Sequence, residues 1–160
     1  QYSDIIFGDQ NEWEIASGVP HIPFEALDAD YEIAKEAYLE YFRKMHQLFP
    51  KCKKMLMAVR NQIASSHHTL SGLLYDAVED QLYTTRIYDI EPIVDPMGVG
   101  DAFIAAYIHA HQKWGDKNQY CLDFSLSASA IKNTVPGDQN LVTEEEIINN
   151  MTSSGGRIQR

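Results

Sequence analysis

The chain has 160 residues, 44% of them apolar, enough to bury one real core and too many for a disordered segment. Thirteen basic against 23 acidic residues leave a net charge of −10, which argues against nonspecific nucleic-acid or anionic-membrane partners. No apolar run reaches the length of a membrane span, and the first twenty residues lack an export signal, so cytoplasmic residence is expected.

Residues 4–7 read as a short strand, and a helix is expected over 11–18, followed by a Pro-containing connection at 19–23. Ile33, Ala37, Tyr41, Met45 and Leu48 then recur near helical spacing, and Pro50 ends that helix. Residues 55–59 form a buried-type strand, and the polar stretch Arg60-Asn61-Gln62-Ile63-Ala64-Ser65-Ser66-His67-His68 reads as a loop. Residues 72–75 and 83–87 look like antiparallel edge strands, and 90–94 leads into a glycine turn. Helices are expected over 100–114, 119–133 and 143–151, the last opened by the capping-box pattern Thr143-Glu144-Glu145-Glu146. Helices between strands imply an α/β domain over residues 1–151, with a parallel sheet under helix layers and a flexible tail at 152–160.

Cys52 and Cys121 are far apart and outside a C-x-x-C pattern, so reduced thiols are expected. His67 and His68 would point apart in an extended loop, and His109 and His111 do not share a helix face. No zinc site is assigned.

The informative segment is Asp95-Pro96-Met97-Gly98-Val99-Gly100-Asp101-Ala102-Phe103, where an apolar strand turns into a helix. The first N–H groups of a helix lack partners within it and carry its positive dipole end. Gly98 and Gly100 remove the Cβ atoms that would keep a phosphate from those amides. Asp101, in the first turn, stands within reach of a hydroxyl approaching the bound phosphate and reads as a general base. Fixed donors and a carboxylate are the parts phosphoryl transfer needs. The bare pattern also fits a plain glycine turn with Asp101 as an ordinary first-turn residue. A dinucleotide fingerprint would need glycine at position 103, where Phe103 stands, a P-loop needs Gly-Lys-Ser/Thr, and the alternating ligands of an EF-hand are missing.

This segment resembles the C-terminal signature of the ribokinase-like (PfkB) carbohydrate kinases, Asp-Thr-x-Gly-Ala-Gly-Asp-Ala-Phe, with Pro96 in place of Thr and Val99 in place of Ala. The resemblance implies the C-terminal part of a three-layer α/β/α sandwich with a mostly parallel sheet. It implies that Gly98, Val99 and Gly100 form the anion hole for the γ-phosphate of ATP, and that Asp101 deprotonates a sugar hydroxyl. It also implies a monovalent cation such as K+ near the loop, held through Asp95 and Met97.

Upstream, Asp4-Ile5-Ile6-Phe7-Gly8-Asp9-Gln10-Asn11-Glu12 resembles the strand-end Asn-x-x-Glu motif, with Asp9 replacing Asn. Glu12 would then organise Mg2+ through water, with Asp9 as a second hard oxygen ligand; the residues fit a helix cap at Asp9 or Asn11 equally well. Arg60 follows the strand where most members have a Gly-x-x-Gly loop bordering the nucleotide. It is a candidate phosphate contact, or else a surface arginine. The phrase Ser129-Ala130-Ile131-Lys132-Asn133-Thr134-Val135-Pro136-Gly137-Asp138 looks like the late helix and loop beside the adenine pocket, with Asn133 as a nucleotide contact. This phrase and the closing Gly156-Arg157-Ile158-Gln159-Arg160 most resemble 2-dehydro-3-deoxygluconate kinases.

The function implied is ATP-dependent phosphorylation of a sugar or sugar acid, with 2-dehydro-3-deoxy-D-gluconate as acceptor, in an intact enzyme that is a homodimer. A nucleoside or vitamin alcohol is an alternative acceptor, and a non-catalytic ATP-binding module is an alternative role. Ribokinase-like enzymes are about twice this long, and their N-terminal half supplies further central strands, most sugar contacts and a small lid. Because the chain begins at Gln1 directly before a strand, a truncated or proteolysed C-terminal half is expected, inactive by itself, with an apolar sheet edge left unpaired.

Overall fold

The computed structural model of the protein describes residues 3–23, 29–153 and 157–158. In chain order these form β1 (Ile5–Gly8), α1 (Gln10–Ser17), α2 (Lys35–Leu48), β2 (Lys54–Ala64), β3 (His67–Asp76), β4 (Gln81–Thr84), β5 (Tyr88–Ile90), α3 (Val99–Trp114), α4 (Asn118–Lys132), α5 (Glu144–Thr152) and β6 (Arg157–Ile158). The strands make one six-stranded sheet in the order β1-β2-β3-β5-β6, with β4 also paired to β3.

Parallel pairing is confined to β1–β2 and β5–β6, and the centre of the sheet, where β3 meets β2, β4 and β5, is antiparallel. The mostly parallel sheet expected above is therefore corrected to a mixed one. The cause is local. The polar stretch after Val59 is not a loop: β2 runs on through Arg60 to Ala64, turns at Ser65 and Ser66, and returns as β3 from His67. So short a turn can join only antiparallel neighbours. Residues 72–75, expected on an edge, consequently lie in the central strand, whereas β4 does pair with β3 alone.

Strand period explains how two cores arise from these segments. Along β2 and β3, Met55, Met57, Val59, Leu73 and Tyr75 turn to one face and pack with Trp13 of α1 and with Tyr38, Tyr41, Phe42 and Met45 of α2. Leu56, Leu70 and Leu74 turn to the other face, against Phe103, Tyr107 and Ala110 of α3 and against α4. The result is helix, sheet, helix in three layers. In α2 the buried positions are spaced three and four apart, while Leu48, expected on that stripe, is half exposed and Ile33 precedes the helix.

Helix α4 buries twelve of its 15 residues, since it lies between α3, α5 and the sheet. Its Ser and Ala positions permit that closeness, and the hydroxyls are satisfied locally: Ser127 Oγ donates to Ile147 C=O at 2.8 Å and Ser129 Oγ to Val99 C=O at 3.0 Å. Within the stretch expected as a flexible tail, Thr152 closes α5, and Arg157–Ile158 pairs with Asp89 and Ile90. The remainder of the closing Gly156-to-Arg160 phrase lies outside the described residues. Among the described residues no helix is long and apolar enough to cross a membrane.

Candidate functional site

The chain leaves β5 through residues 91–97 and enters α3 at Gly98, the N-cap, with φ +74° and no side-chain cap. Glycine is required there twice over. The left-handed backbone disfavours any Cβ, and a Cβ at this position would lie 2.4 Å from the carbonyl oxygen of Asp138. The first helical bond runs from Ala102 N–H to Gly98 C=O at 2.9 Å, so the N–H groups of Gly100 and Asp101 carry no backbone hydrogen bond among the described residues. Gly100 is exposed, and no heavy atom lies within 4 Å of where its Cβ would stand. Asp101 is exposed too, and its carboxylate makes no hydrogen bond or ion pair among the described residues. The positive end of a 16-residue helix thus presents bare amides beside an uncommitted carboxylate.

A second loop braces this turn. Asp95 accepts the Met97 N–H on Oδ1 and the Gly137 N–H on Oδ2, each at 2.9 Å. Those two amides, Met97 first, and the charge of Lys132 hold its carboxyl below the ordinary aspartate value. Asn133 C=O accepts the N–H groups of Val94 at 2.8 Å and Asp95 at 3.2 Å. Lys132 Nζ, wholly buried, donates to Val135 C=O at 3.0 Å and lies 3.5 Å from Asp95 C=O.

The structure gathers some sequence candidates here and leaves others apart. Gly98, Val99, Gly100, Asp101 and Asp95 form one unit. Asn133 joins it from beneath: it is buried, and its Nδ2 donates to Ser129 C=O at 3.0 Å. Arg60 is exposed in mid-strand opposite Leu70, on the sheet face that carries Leu56.

Asp9 and Glu12 close a reciprocal capping box at the start of α1, with Glu12 N–H to Asp9 Oδ1 at 2.8 Å and Asp9 N–H to Glu12 Oε2 at 3.0 Å. One oxygen of each carboxylate is left over, which suits a hard cation reached through water. Among the described residues no three His, Cys, Asp or Glu side chains converge on a metal position, so Asp95 does not share a site with this pair. The register sets Gly8 level with Met57 and Ile90 level with His68, so the Asp9 and glycine turns leave the same end of the sheet. His67 Nε2 meets Asp89 Oδ1 at 2.5 Å, His109 pairs with Glu144, and His111 with Gly115 C=O.

Lys132 and Asn140 escaped the sequence reading. Asn140 lines a cleft of about 280 Å³ beside the first turns of α3, together with Ala102, Ala106, His109, Ala128 and Val142, and its buried Oδ1 has no partner among the described residues. A larger cavity of about 670 Å³ lies between α1 and the end of α2, lined by Trp13, Met45, Phe49 and Cys52. Size favours that one; chemistry favours the turn, because the larger cavity holds no carboxylate and no free helix start.

No family model matches the chain, and no curated protein matches it. Solved structures do. A 2-dehydro-3-deoxygluconokinase from Thermotoga maritima superposes with a TM-score of 0.78 at 25% identity, over 94% of this chain and 41% of that one. A PfkB family carbohydrate kinase from Listeria grayi gives 0.73 at 26% identity, with 94% and 41% covered. Arabidopsis thaliana ribokinase, complexed with ribose and ATP, gives 0.68 at 21% identity over the same shares. The chain therefore has the ribokinase-like fold and spans about two fifths of the length of these structures, consistent with the C-terminal half of such a kinase.

Proposed function

We propose, from a chain that shares its fold with PfkB carbohydrate kinases, that this is the ATP-handling part of a sugar or sugar-acid kinase. One observation carries the reading: Asp101 stands exposed and unpaired beside the bare Gly100 amide at the open start of α3. The Gly98, Val99 and Gly100 amides receive the γ-phosphate, Val99 by giving up its long 3.5 Å bond to Pro96 C=O, so little reorganisation is needed when charge builds on the phosphate oxygens. Asp101 takes the proton of the acceptor hydroxyl as that oxygen attacks the γ-phosphorus and the bond to the bridging oxygen breaks, releasing ADP; the proton transfer is worth about 10²–10⁴ in rate. The adenine occupies the cleft lined by Ala102, Ala106 and Asn140, whose unpartnered Oδ1 suits an exocyclic amine. Arg60 adds positive charge on the same sheet face, and Asp9 and Glu12 hold Mg2+ through their outward oxygens. When bound, Mg2+ neutralises phosphate charge.

The acceptor in this reading is 2-dehydro-3-deoxy-D-gluconate, and the working enzyme is a cytoplasmic homodimer containing an N-terminal portion that binds the sugar. Two measurements test it. Titration of the chain with Mg-ATP is expected to shift the amide resonances of Gly98, Gly100 and Asp101; unshifted resonances at millimolar nucleotide would refute the nucleotide role. In a kinase polypeptide containing this chain, Asp101→Asn is expected to cut turnover by about 10²–10⁴ while nucleotide binding persists. Near-parental turnover would remove Asp101 as the base.

A further inference from the structure

The loop that the family resemblance would furnish with a monovalent cation is already occupied by a side chain. Lys132 is the last residue of α4, and its whole side chain is buried. Its ammonium donates to Val135 C=O at 3.0 Å and lies 3.5 Å from Asp95 C=O, and its charge is felt by the Asp95 carboxylate. Lysines are almost never fully buried without partners, and this one has exchanged water for main-chain carbonyls at the negative end of its own helix. Rings of backbone carbonyls are also the donor type that strips and holds alkali ions. An ammonium and a potassium ion sharing these oxygens would be two like charges in contact in a dry interior. The Asp95 carbonyl, which the resemblance would give to a free monovalent cation, thus already faces a fixed positive charge.

We propose that Lys132 is a tethered replacement for that cation: its ammonium pins the carbonyls of Asp95 and Val135 together and sets a fixed positive charge behind the anion hole, so the turn is assembled without potassium. Lys132 is then a positioning residue. It touches neither phosphate nor acceptor, but it fixes the loop from which Gly98 starts α3 and the loop whose Asp138 carbonyl packs on Gly98. The functional part rests on the anion-hole reading, whereas the cation replacement is tested without nucleotide.

The experiment compares thermal unfolding of the 160-residue chain in potassium chloride and in N-methylglucamine chloride at equal ionic strength, with thallium(I) NMR as a direct probe of a potassium site. The parent chain is expected to melt at the same temperature in both salts and to bind no thallium. Lys132→Ala removes the ammonium and leaves the carbonyls; it is expected to melt lower and to gain at least about 2–4 °C in potassium over the organic cation. Potassium stabilisation or thallium binding in the parent would overturn the proposal, and so would a folded Lys132→Ala indifferent to the cation. Should that variant fail to fold in either salt, the parent's response decides. Failed Mg-ATP titration with cation-independent melting would sink the kinase reading and leave this one standing.

Discussion

Three glycines separate what the backbone of this site needs for stability from what it needs for chemistry. At Gly98 an alanine must adopt φ +74° and place its Cβ 2.4 Å from Asp138 C=O. The left-handed conformation costs about 1–2 kcal/mol for an L residue, and forcing an atom into a filled space typically about 1–3 more, so Gly98→Ala is expected to lose about 2–5 kcal/mol. Gly18 has nearly the same φ, +72°, but nothing within 4 Å of the would-be Cβ. Gly18→Ala should therefore lose only the conformational part, about 1–2 kcal/mol. Gly100 is helical and open, so Gly100→Ala is expected to hold stability or gain up to about 1 kcal/mol. Its methyl would stand where the anion must approach, and Mg-ATP affinity should drop by tenfold or more, about 1.4 kcal/mol. Urea unfolding followed by circular dichroism, and Mg-ATP titration of the same three variants, read both quantities. A Gly98→Ala variant no less stable than Gly18→Ala would refute the steric argument; a Gly100→Ala variant binding nucleotide like the parent would refute the anion hole.

At the opposite end of the sheet, Lys54 is buried with Asp76 and Asn118, its Nζ 2.5 Å from Asn118 Oδ1, 2.8 Å from Asp116 and 3.3 Å from Asp76. Lys54→Ala leaves Asp76 buried without its cation and is expected to cost about 3 kcal/mol in urea unfolding; a loss under about 1 kcal/mol would show the cluster to be solvated. Acidification should also destabilise the fold. Burial pushes Asp76 up, but hydrogen bonds from Asn118, Glu79 and Val78 and the nearby Lys54 outweigh it, so its carboxyl sits below the ordinary value, and the Arg43 and Tyr75 hydrogen bonds bring Asp80 down to about 2. Folded values below unfolded ones contribute stability above the unfolded value near 4, and lose it as pH falls toward about 2. Unfolding free energies between pH 5 and pH 2 should decline less steeply in Asp76→Asn than in the parent; equal slopes would show that Asp76 is not so linked.

Glycine spacing made the turn legible, and the structure shows Gly98 left-handed at the N-cap and Gly100 open in the first turn of α3. Capping chemistry was equally local: Thr143 with Glu146 closes the expected box, and Asp9 with Glu12 a second one. Sheet pairing was not legible. The stretch from Arg60 to His68 is polar enough to pass for a loop, yet Asn61, His68 and Thr69 are buried within the long hairpin because tertiary packing overrides their propensities. Lys132 was hidden for a related reason, since a lysine in the last turn of a helix ordinarily faces water. Only the three-dimensional meeting of the residue 95 and residue 135 loops gives it another place.

Because the main chain of Asp138 occupies the space a Gly98 side chain would need, and Asp95 clasps amides on both loops, neither loop can drift without dragging the other. The pocket floor therefore behaves as one stiff plate hung from the end of α4. In the proposed role an anion would meet donors already aimed, and its arrival would be spent on contact, with little conformational freedom left to surrender.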